Sequence, residues 1–445
     1  MLGAGDVIVA TFDGGGVDAR AGLGGLFCPR WKATMTLPAP STGGRTFAIA
    51  VLSLAVGGFT IGTTEFVTMG LLPRIADGIG VDEPTAGHVI SAYALGVVVG
   101  VPILSFFAAR LPRRGLLVAL MAAYGVFNLV SAIASSYGLL LAARFFDGLP
   151  HGAYFGVASL VAASLAPPNR RGRAIASVMM GLSVANVAGV PAATWVGQHL
   201  GWRAAYVLAA GLALLTVVLI LAFVPSVAAD RNATGRREAR EFFTRKQVWL
   251  TMTAGAVGFG GLFAVYSYIA TTVTDVAGLS ESTVPVFLLA FGLGMTFGTW
   301  VGGELADWSV FRALIWSSVA AVGVMFAFWA LAPFGWWLLP VVFLTTAIGS
   351  VTVTNLQLRL MDVAGNAVTL GAAMNHAALN VANALGAWLG GIVIAAGHGY
   401  RAPALVGAAL SMAGVAMLLW SAMVDRRTTG SVPEARVLEP TEARH

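Results

Sequence analysis

Three ionisable residues stand in an otherwise apolar stretch, Arg144-Phe-Phe-Asp147-Gly-Leu-Pro-His151-Gly-Ala-Tyr-Phe-Gly156. On a helix, spacings of three and seven residues put Arg144, Asp147 and His151 on one face. These side chains can form an ion pair, pass a proton, or hydrogen-bond a polar ligand. A second candidate is Glu65, in Gly62-Thr-Thr-Glu65-Phe-Val. Burial disfavours an ionised carboxylate and a nearby cation favours it. A group held between such opposed effects suits a proton carrier. The order of expectation for that task is Glu65, then Asp147, then His151.

These residues sit in a chain of 445 residues that is 58% apolar and only 10% charged, with 55 glycines. Soluble domains carry roughly a quarter charged residues, and abundant glycine suits close packing of membrane helices. The composition is that of a polytopic membrane protein. The net charge of +6 is concentrated in particular loops and so speaks of topology rather than nucleic-acid binding. Cys28 is the single cysteine, so no intrachain disulfide can form. The only lysines, Lys32 and Lys246, do not follow a glycine, which excludes a G-x-x-x-x-G-K phosphate loop.

Twelve apolar segments follow from Thr46, at about 46–72, 88–109, 115–135, 138–166, 172–199, 203–224, 248–274, 284–305, 313–332, 334–360, 366–396 and 401–424. Each is long enough to cross a hydrocarbon core of about 30 Å. Basic residues collect in the loops after even-numbered segments: Arg110, Arg113, Arg114, Arg170, Arg171, Arg173, Arg231, Arg236, Arg237, Arg240, Arg245, Lys246, Arg312 and Arg359. The other loops hold only Arg74, Arg203 and Arg401. This bias predicts that both termini are cytoplasmic.

The halves resemble copies. A shift of 198 residues lays Asp77, Gly80, Glu83 and Thr85 on Asp275, Gly278, Glu281 and Thr283, and Gly96 and Gly100 on Gly294 and Gly298. It also lays Arg114 on Arg312, and Gly201 and Arg203 on Gly399 and Arg401. Two six-helix halves joined by a basic linker is a parallel-repeat transporter plan, with its substrate site near mid-membrane between the halves. The expected division is a leader 1–45, a bundle 46–224, a linker 225–247, a bundle 248–424 and a cytoplasmic tail 425–445. The leader is expected to be disordered.

The repeat bears on the charged residues. Arg144, Asp147, His151 and Glu65 fall on Val342, Thr345, Gly349 and Phe263, so the scaffold does not require the charges. Two readings stay open: a structural ion pair within the fourth helix, or a transport site. Glu65 lies about seven residues before the outer end of its helix and Arg144 about six after that of its own. At about 1.5 Å per residue the two lie at a common depth of roughly 10 Å. A Glu65–Arg144 pair facing a cavity is then expected, either as simple neutralisation or as coupling.

Gly148, Gly152 and Gly156 read as a small-residue packing stripe, and Gly181, Gly189 and Pro191 in the fifth segment as a kink with close helix contact. Asn355, Gln357, Asn375, His376, Asn380 and Asn383 are polar residues of the tenth and eleventh segments. Interhelical hydrogen bonding is the first expectation for these amides, with a polar cavity wall as the alternative.

The chain from about 46 to 424 resembles major facilitator transporters of the twelve-helix drug:proton antiporter type, near the bacterial arabinose-efflux-like and chloramphenicol-efflux-like permeases. The resemblance rests on Gly62-Thr-Thr-Glu65-Phe, Gly70-Leu-Leu-Pro73, Arg144 with Gly148-Leu-Pro-His151-Gly, Gly189-Val-Pro191, Gly201-Trp-Arg203 and Asn380-Val-Ala-Asn383-Ala-Leu-Gly386. It implies an all-α membrane fold and export driven by inward proton flow. It also implies a proton-transfer role for Arg144 and a proton or cation role for Glu65. Gly181, Gly189, Pro191 and Gly197 would form a loosened antiporter motif. The family's G-x-x-x-D-R-x-G-R-R loop has lost its aspartate and glycines here, at Ser105, Ala109 and Pro112. The second half restores Gly303, Asp307 and Arg312, which moves the expected conformational latch there.

The reading is a secondary active exporter of a drug-like or sugar-like small molecule, working by proton antiport with alternating access in the inner (plasma) membrane. Its expected partners are substrate, protons and the lipid bilayer, with no nucleic acid, cofactor or metal, and the chain is expected to be a monomer and not an enzyme. The alternative is an uncoupled or differently coupled sugar or nucleoside facilitator of the same fold. A third reading, an intramembrane enzyme, lacks any H-E-x-x-H or G-x-S-x-G motif.

Overall fold

The computed structural model describes residues 44–108, 111–167, 170–227, 235–365 and 367–429. Ten helices among these are long and apolar enough to cross a bilayer. One of them, Glu281–Leu331, breaks at Ser309 (φ −174°, ψ 109°) into two crossings. Tyr137–Leu165 is a further crossing, less apolar because it carries Arg144, Asp147, Pro150 and His151. Twelve crossings result, in two six-helix halves.

The helices are α1 (Gly44–Gly70), α2 (Glu83–Ala108), α3 (Arg113–Ile133), α4 (Tyr137–Leu165), α5 (Arg171–Leu200) and α6 (Trp202–Phe223). The second half holds α7 (246–276), α8 (284–308), α9 (310–331), α10 (Leu338–Val363), α11 (Val368–Val393) and α12 (Ala402–Thr429). Helix α2 begins five residues earlier than its apolar run suggested. Asp82 accepts the Thr85 amide at 3.1 Å and Pro84 sits in the first turn, so a polar residue and a proline start the helix before the apolar stretch. The linker contains a helix, Gly235–Thr244, whose buried Phe242 packs on Val248, Leu360 and Met374. The expected leader, up to residue 43, and the tail from 430 lie outside the described residues.

Internal symmetry reaches the contacts. Gly96 lies against the Phe145 carbonyl and Gly100 against that of Leu149. At the same offset, Gly294 meets the Phe343 carbonyl and Gly298 that of Ala347. The turn glycines match as well: Gly80 and Gly278 have φ of 70° and 67°, Gly201 and Gly399 of 90° and 73°. These left-handed values suit glycine and strain other residues. In each half the α2- or α8-type helix therefore approaches its partner through backbone.

This makes a stability prediction. A methyl group at Gly100 or Gly298 would strike a carbonyl, whereas Gly156 and Gly303 have nothing within 4 Å of a built Cβ. Gly100→Ala and Gly298→Ala are expected to destabilise by about 1–3 kcal/mol, and Gly156→Ala and Gly303→Ala to be silent. Thermal unfolding of the four purified variants checks it; equal melting temperatures would refute the packing role.

The ends of the bundle differ. At the end away from the linker helix, one apolar core runs through both halves, joining Phe66, Met69, Leu72, Ala86 and Ile90 to Leu262, Tyr266, Val284 and Leu288. Helix α8 lies chiefly against 185–200 of α5 and α2 lies along α11. Toward the linker end, residues 171–184 of α5 have little of the second half on them. The outer faces of α3, α6, α9 and α12 present exposed apolar side chains such as Leu129, Leu214, Trp316 and Trp420, as lipid contact requires.

Candidate functional site

Helix α4 starts on Ser136, whose hydroxyl accepts the Leu139 amide at 3.4 Å. From there its helical period turns Arg144, Asp147 and His151 inward, all three buried. Arg144 Nη1 donates to Asp147 Oδ2 at 2.5 Å. The guanidinium carbon lies 4.2 Å from the Tyr93 ring centre and 5.5 Å from that of Tyr206, which suits a desolvated cation. Asp147 Oδ1 accepts from Asn128 Nδ2 at 2.8 Å. The Tyr93 hydroxyl lies 3.1 Å from that of Tyr124 and 3.0 Å from His151 Nδ1, and Tyr206 meets Thr68 at 3.0 Å. Helices α1, α2, α3, α4 and α6 thus contribute to one buried polar network. Arg144 Nε and Nη2 have no protein partner in it.

Glu65 on α1 is 7% exposed and has no hydrogen-bond or ion-pair partner among the described residues. It lies within the electrostatic reach of Arg144, Tyr93 and Tyr266. The direct Glu65–Arg144 pair anticipated from helix depth is therefore not formed. Arg144 pairs with Asp147 instead, three residues along the same helix, where no inter-helix distance has to be closed.

Helix α11 comes to the site from the second half. The rings of Phe155 and His376 stack at 6.0 Å, and Phe155 is 5.4 Å from His151, so aromatic contact bridges α4 and α11. Interhelical hydrogen bonding, the first expectation for the amides, holds for Asn355, which donates to the Gly302 carbonyl of α8 at 3.2 Å. It does not hold for Asn375 and Asn383, both buried with neither amide atom partnered among the described residues. Asn380 donates to the His376 carbonyl of its own helix.

Of the glycines, Gly148 packs on the Tyr93 carbonyl and Gly152 on Val101, whereas Gly156 faces open space. Gly181 meets the Ala55 carbonyl and Gly189 meets Thr63 and Phe59, which seats α5 on α1. A π-helical turn over Ala185–Gly189 precedes Pro191 and accommodates a residue that cannot donate a helical bond. Gly303, Asp307 and Arg312 gather around the break at Ser309. Arg312 lies over the Trp308 ring at 5.5 Å; Asp307 is exposed and in no ion pair among the described residues. Ala109 and Arg110, in the first-half counterpart, lie outside the described residues.

Away from the linker end, polar contacts around two glutamates help tie the halves together. Glu83 accepts from Thr271 at 2.6 Å and from Tyr400 at 2.9 Å. Glu281 accepts from Arg74 through both oxygens, and its carbonyl accepts from Gln198 at 2.9 Å. Glu83 and Glu281 are repeat equivalents, and each crosses to the opposite half. Sequence reasoning aligned them but assigned them no role, since a loop carboxylate shows nothing of the partner that folding brings to it. Tyr93, Tyr124, Asn128 and Tyr206 were also missed; only Asn128, a polar amide within an apolar segment, carried a signal.

Fold and buried charges define a polytopic membrane carrier built of two related halves. The chain belongs to the Major Facilitator Superfamily, which its residues 54–375 match. It is 40% identical over 371 residues to the inner membrane transport protein YdhP of Escherichia coli K12, covering 83% of this chain and 94% of that one. It is 35% identical to a chloramphenicol resistance protein of Streptomyces lividans over 75% of this chain and 86% of that one. Among solved structures, a bacterial homologue of the human lysosomal transporter Spinster, described as inward-facing and unoccupied, superposes with a TM-score of 0.67 at 16% identity. That match covers 86% of this chain and 98% of the other. The protein is a multi-pass membrane transporter of small molecules.

Proposed function

We propose that the protein exports a small drug-like or sugar-like molecule across the inner membrane by proton antiport, with both termini in the cytoplasm. The observation that carries this reading is Glu65, a buried carboxylate without a partner among the described residues, within the field of a buried Arg144–Asp147 pair. An unpaired acid within a membrane-spanning helix is costly and marks function. Glu65 would take the proton, Arg144 would set how readily it is released, and Asp147 and His151 would complete the path. Gly148, Gly152, Gly181, Gly189 and Pro191 would let the helices slide, and Gly303, Asp307 and Arg312 would latch the second half. The relative named for chloramphenicol resistance supports a compact, partly apolar substrate.

In inverted vesicles carrying a pH-sensitive dye, wild-type protein is expected to release protons when substrate is added. Glu65→Gln is expected to lose that signal while eluting as a folded species. Undiminished proton-driven efflux from the variant would remove Glu65 from the mechanism. A second reading, a facilitator for a sugar or nucleoside, draws on the unpartnered amides of Asn375 and Asn383, which suit hydroxyl groups. Transport insensitive to collapse of the proton gradient would select it.

A further inference from the structure

A groove of about 580 Å³ opens between α1 and α5 toward the linker end. Its walls are apolar, formed by side chains such as Phe47, Val51, Phe59, Met180 and Val184, and Leu52, Met180 and Val184 are largely exposed. Among the described residues, Arg170 and Arg173 are the only charged ones that line it, and no carboxylate lines it beside them. Both arginines are exposed, at the start of α5. From Phe47 to Phe59 the wall runs about 18 Å along α1, and one leaflet's hydrocarbon is about 15 Å thick.

The repeat shows that the basic mouth is not a scaffold requirement. Arg170 and Arg173 fall on Val368 and Gly371 in the second half. Arg245, the counterpart of Phe47, turns its guanidinium toward Gly365 there, where the first half has an apolar wall. The first half thus combines a leaflet-long apolar groove with two cations at headgroup level.

We propose that this groove is a binding site for an anionic phospholipid of the leaflet at the linker end. One acyl chain lies between α1 and α5 and the headgroup phosphate rests on Arg170 and Arg173. Guanidinium matches phosphate geometry, and basic side chains at the membrane surface draw anionic lipid. The lipid sits where α5 is uncovered by α8, so it fills the side of the bundle that the second half leaves free at this end.

Native mass spectrometry of the full chain, released from detergent with phosphatidylglycerol or phosphatidylcholine of identical chains, tests the proposal. Phosphatidylglycerol is expected to be retained at least tenfold better. Arg170→Gln and Arg173→Gln are each expected to weaken its retention about fivefold, and their combination to bring it to the phosphatidylcholine level. Val184→Trp, which projects into the groove from an exposed position, is expected to lower retention of both lipids, and Arg240→Gln, on the linker helix, to change neither. Equal retention of the two lipids would overturn the proposal, as would loss with Arg240→Gln matching that with Arg170→Gln. Indifference to Val184→Trp, or complete displacement of lipid by millimolar inorganic phosphate, would overturn it too, since the groove would then not hold the chain.

Discussion

Replacing Arg144 by Val and Asp147 by Thr together is expected to give a folded protein that no longer couples transport to protons. Arg144→Val alone is expected to lose about 3–5 kcal/mol of stability. The double variant installs what the second half carries at the equivalent places, Val342 and Thr345. There the scaffold closes without charge: Val342 is 3% exposed and Thr345 satisfies its hydroxyl on the Val341 carbonyl at 2.7 Å. Arg144 and Asp147 are both fully buried and bonded to each other at 2.5 Å. Removing one leaves the other an uncompensated charge, whereas removing both exchanges a desolvated pair for apolar packing, often at little net cost. Thermal unfolding of the single and double variants, with proton-linked flux measured in vesicles, separates the two roles. If the double variant is as unstable as the single, the charges are structural. If it is stable and still coupled, they belong to neither fold nor mechanism.

The same comparison shows what was legible beforehand. Twelve crossings followed from apolar run length, and the offset of 198 residues gave the two halves because turn glycines and packing glycines cannot be exchanged without strain or collision. Arg144, Asp147 and His151 were legible as one buried face, because in lipid such residues are too costly to be incidental. Their partners were not. Whether Arg144 turns to Asp147 or to Glu65 depends on rotamers and on the Tyr93 and Tyr206 rings above the guanidinium, which come from α2 and α6. Asn355 and Asn375 look alike in sequence, and only the approach of α8 gives one of them an interhelical carbonyl to bond. Contacts between the halves were hidden for the same reason: residues such as Glu83 and Tyr400 meet only after both bundles have formed.

Those contacts set the second large effect. Glu83→Ala is expected to open the end of the bundle away from the linker, where Glu83 holds Thr271 and Tyr400 of the other half. A hydrogen bond to a charged group contributes about 1.5–3 kcal/mol, and half-burial argues for the lower figure. Loss of about 1.5 kcal/mol shifts a two-state equilibrium roughly tenfold toward the open form. Its repeat partner Glu281 should matter less. The Arg74–Glu281 side chains are 38% and 46% exposed, and such surface pairs contribute about 0–1 kcal/mol, at most roughly fivefold. The Gln198 bond to the Glu281 carbonyl survives substitution of the side chain. A reporter is available, since Cys28 is the only cysteine: in a Cys28→Ser background, Ala86→Cys places a thiol in the core shared by the halves, three residues from Glu83. Glu83→Ala is expected to speed its modification by a membrane-impermeant thiol reagent about tenfold, and Glu281→Ala by less than fivefold. Equal acceleration by the two would mean that burial of the carboxylate does not set the strength of the closure. The two halves would then be held by their shared apolar core, from Phe66 to Leu288, rather than by either glutamate.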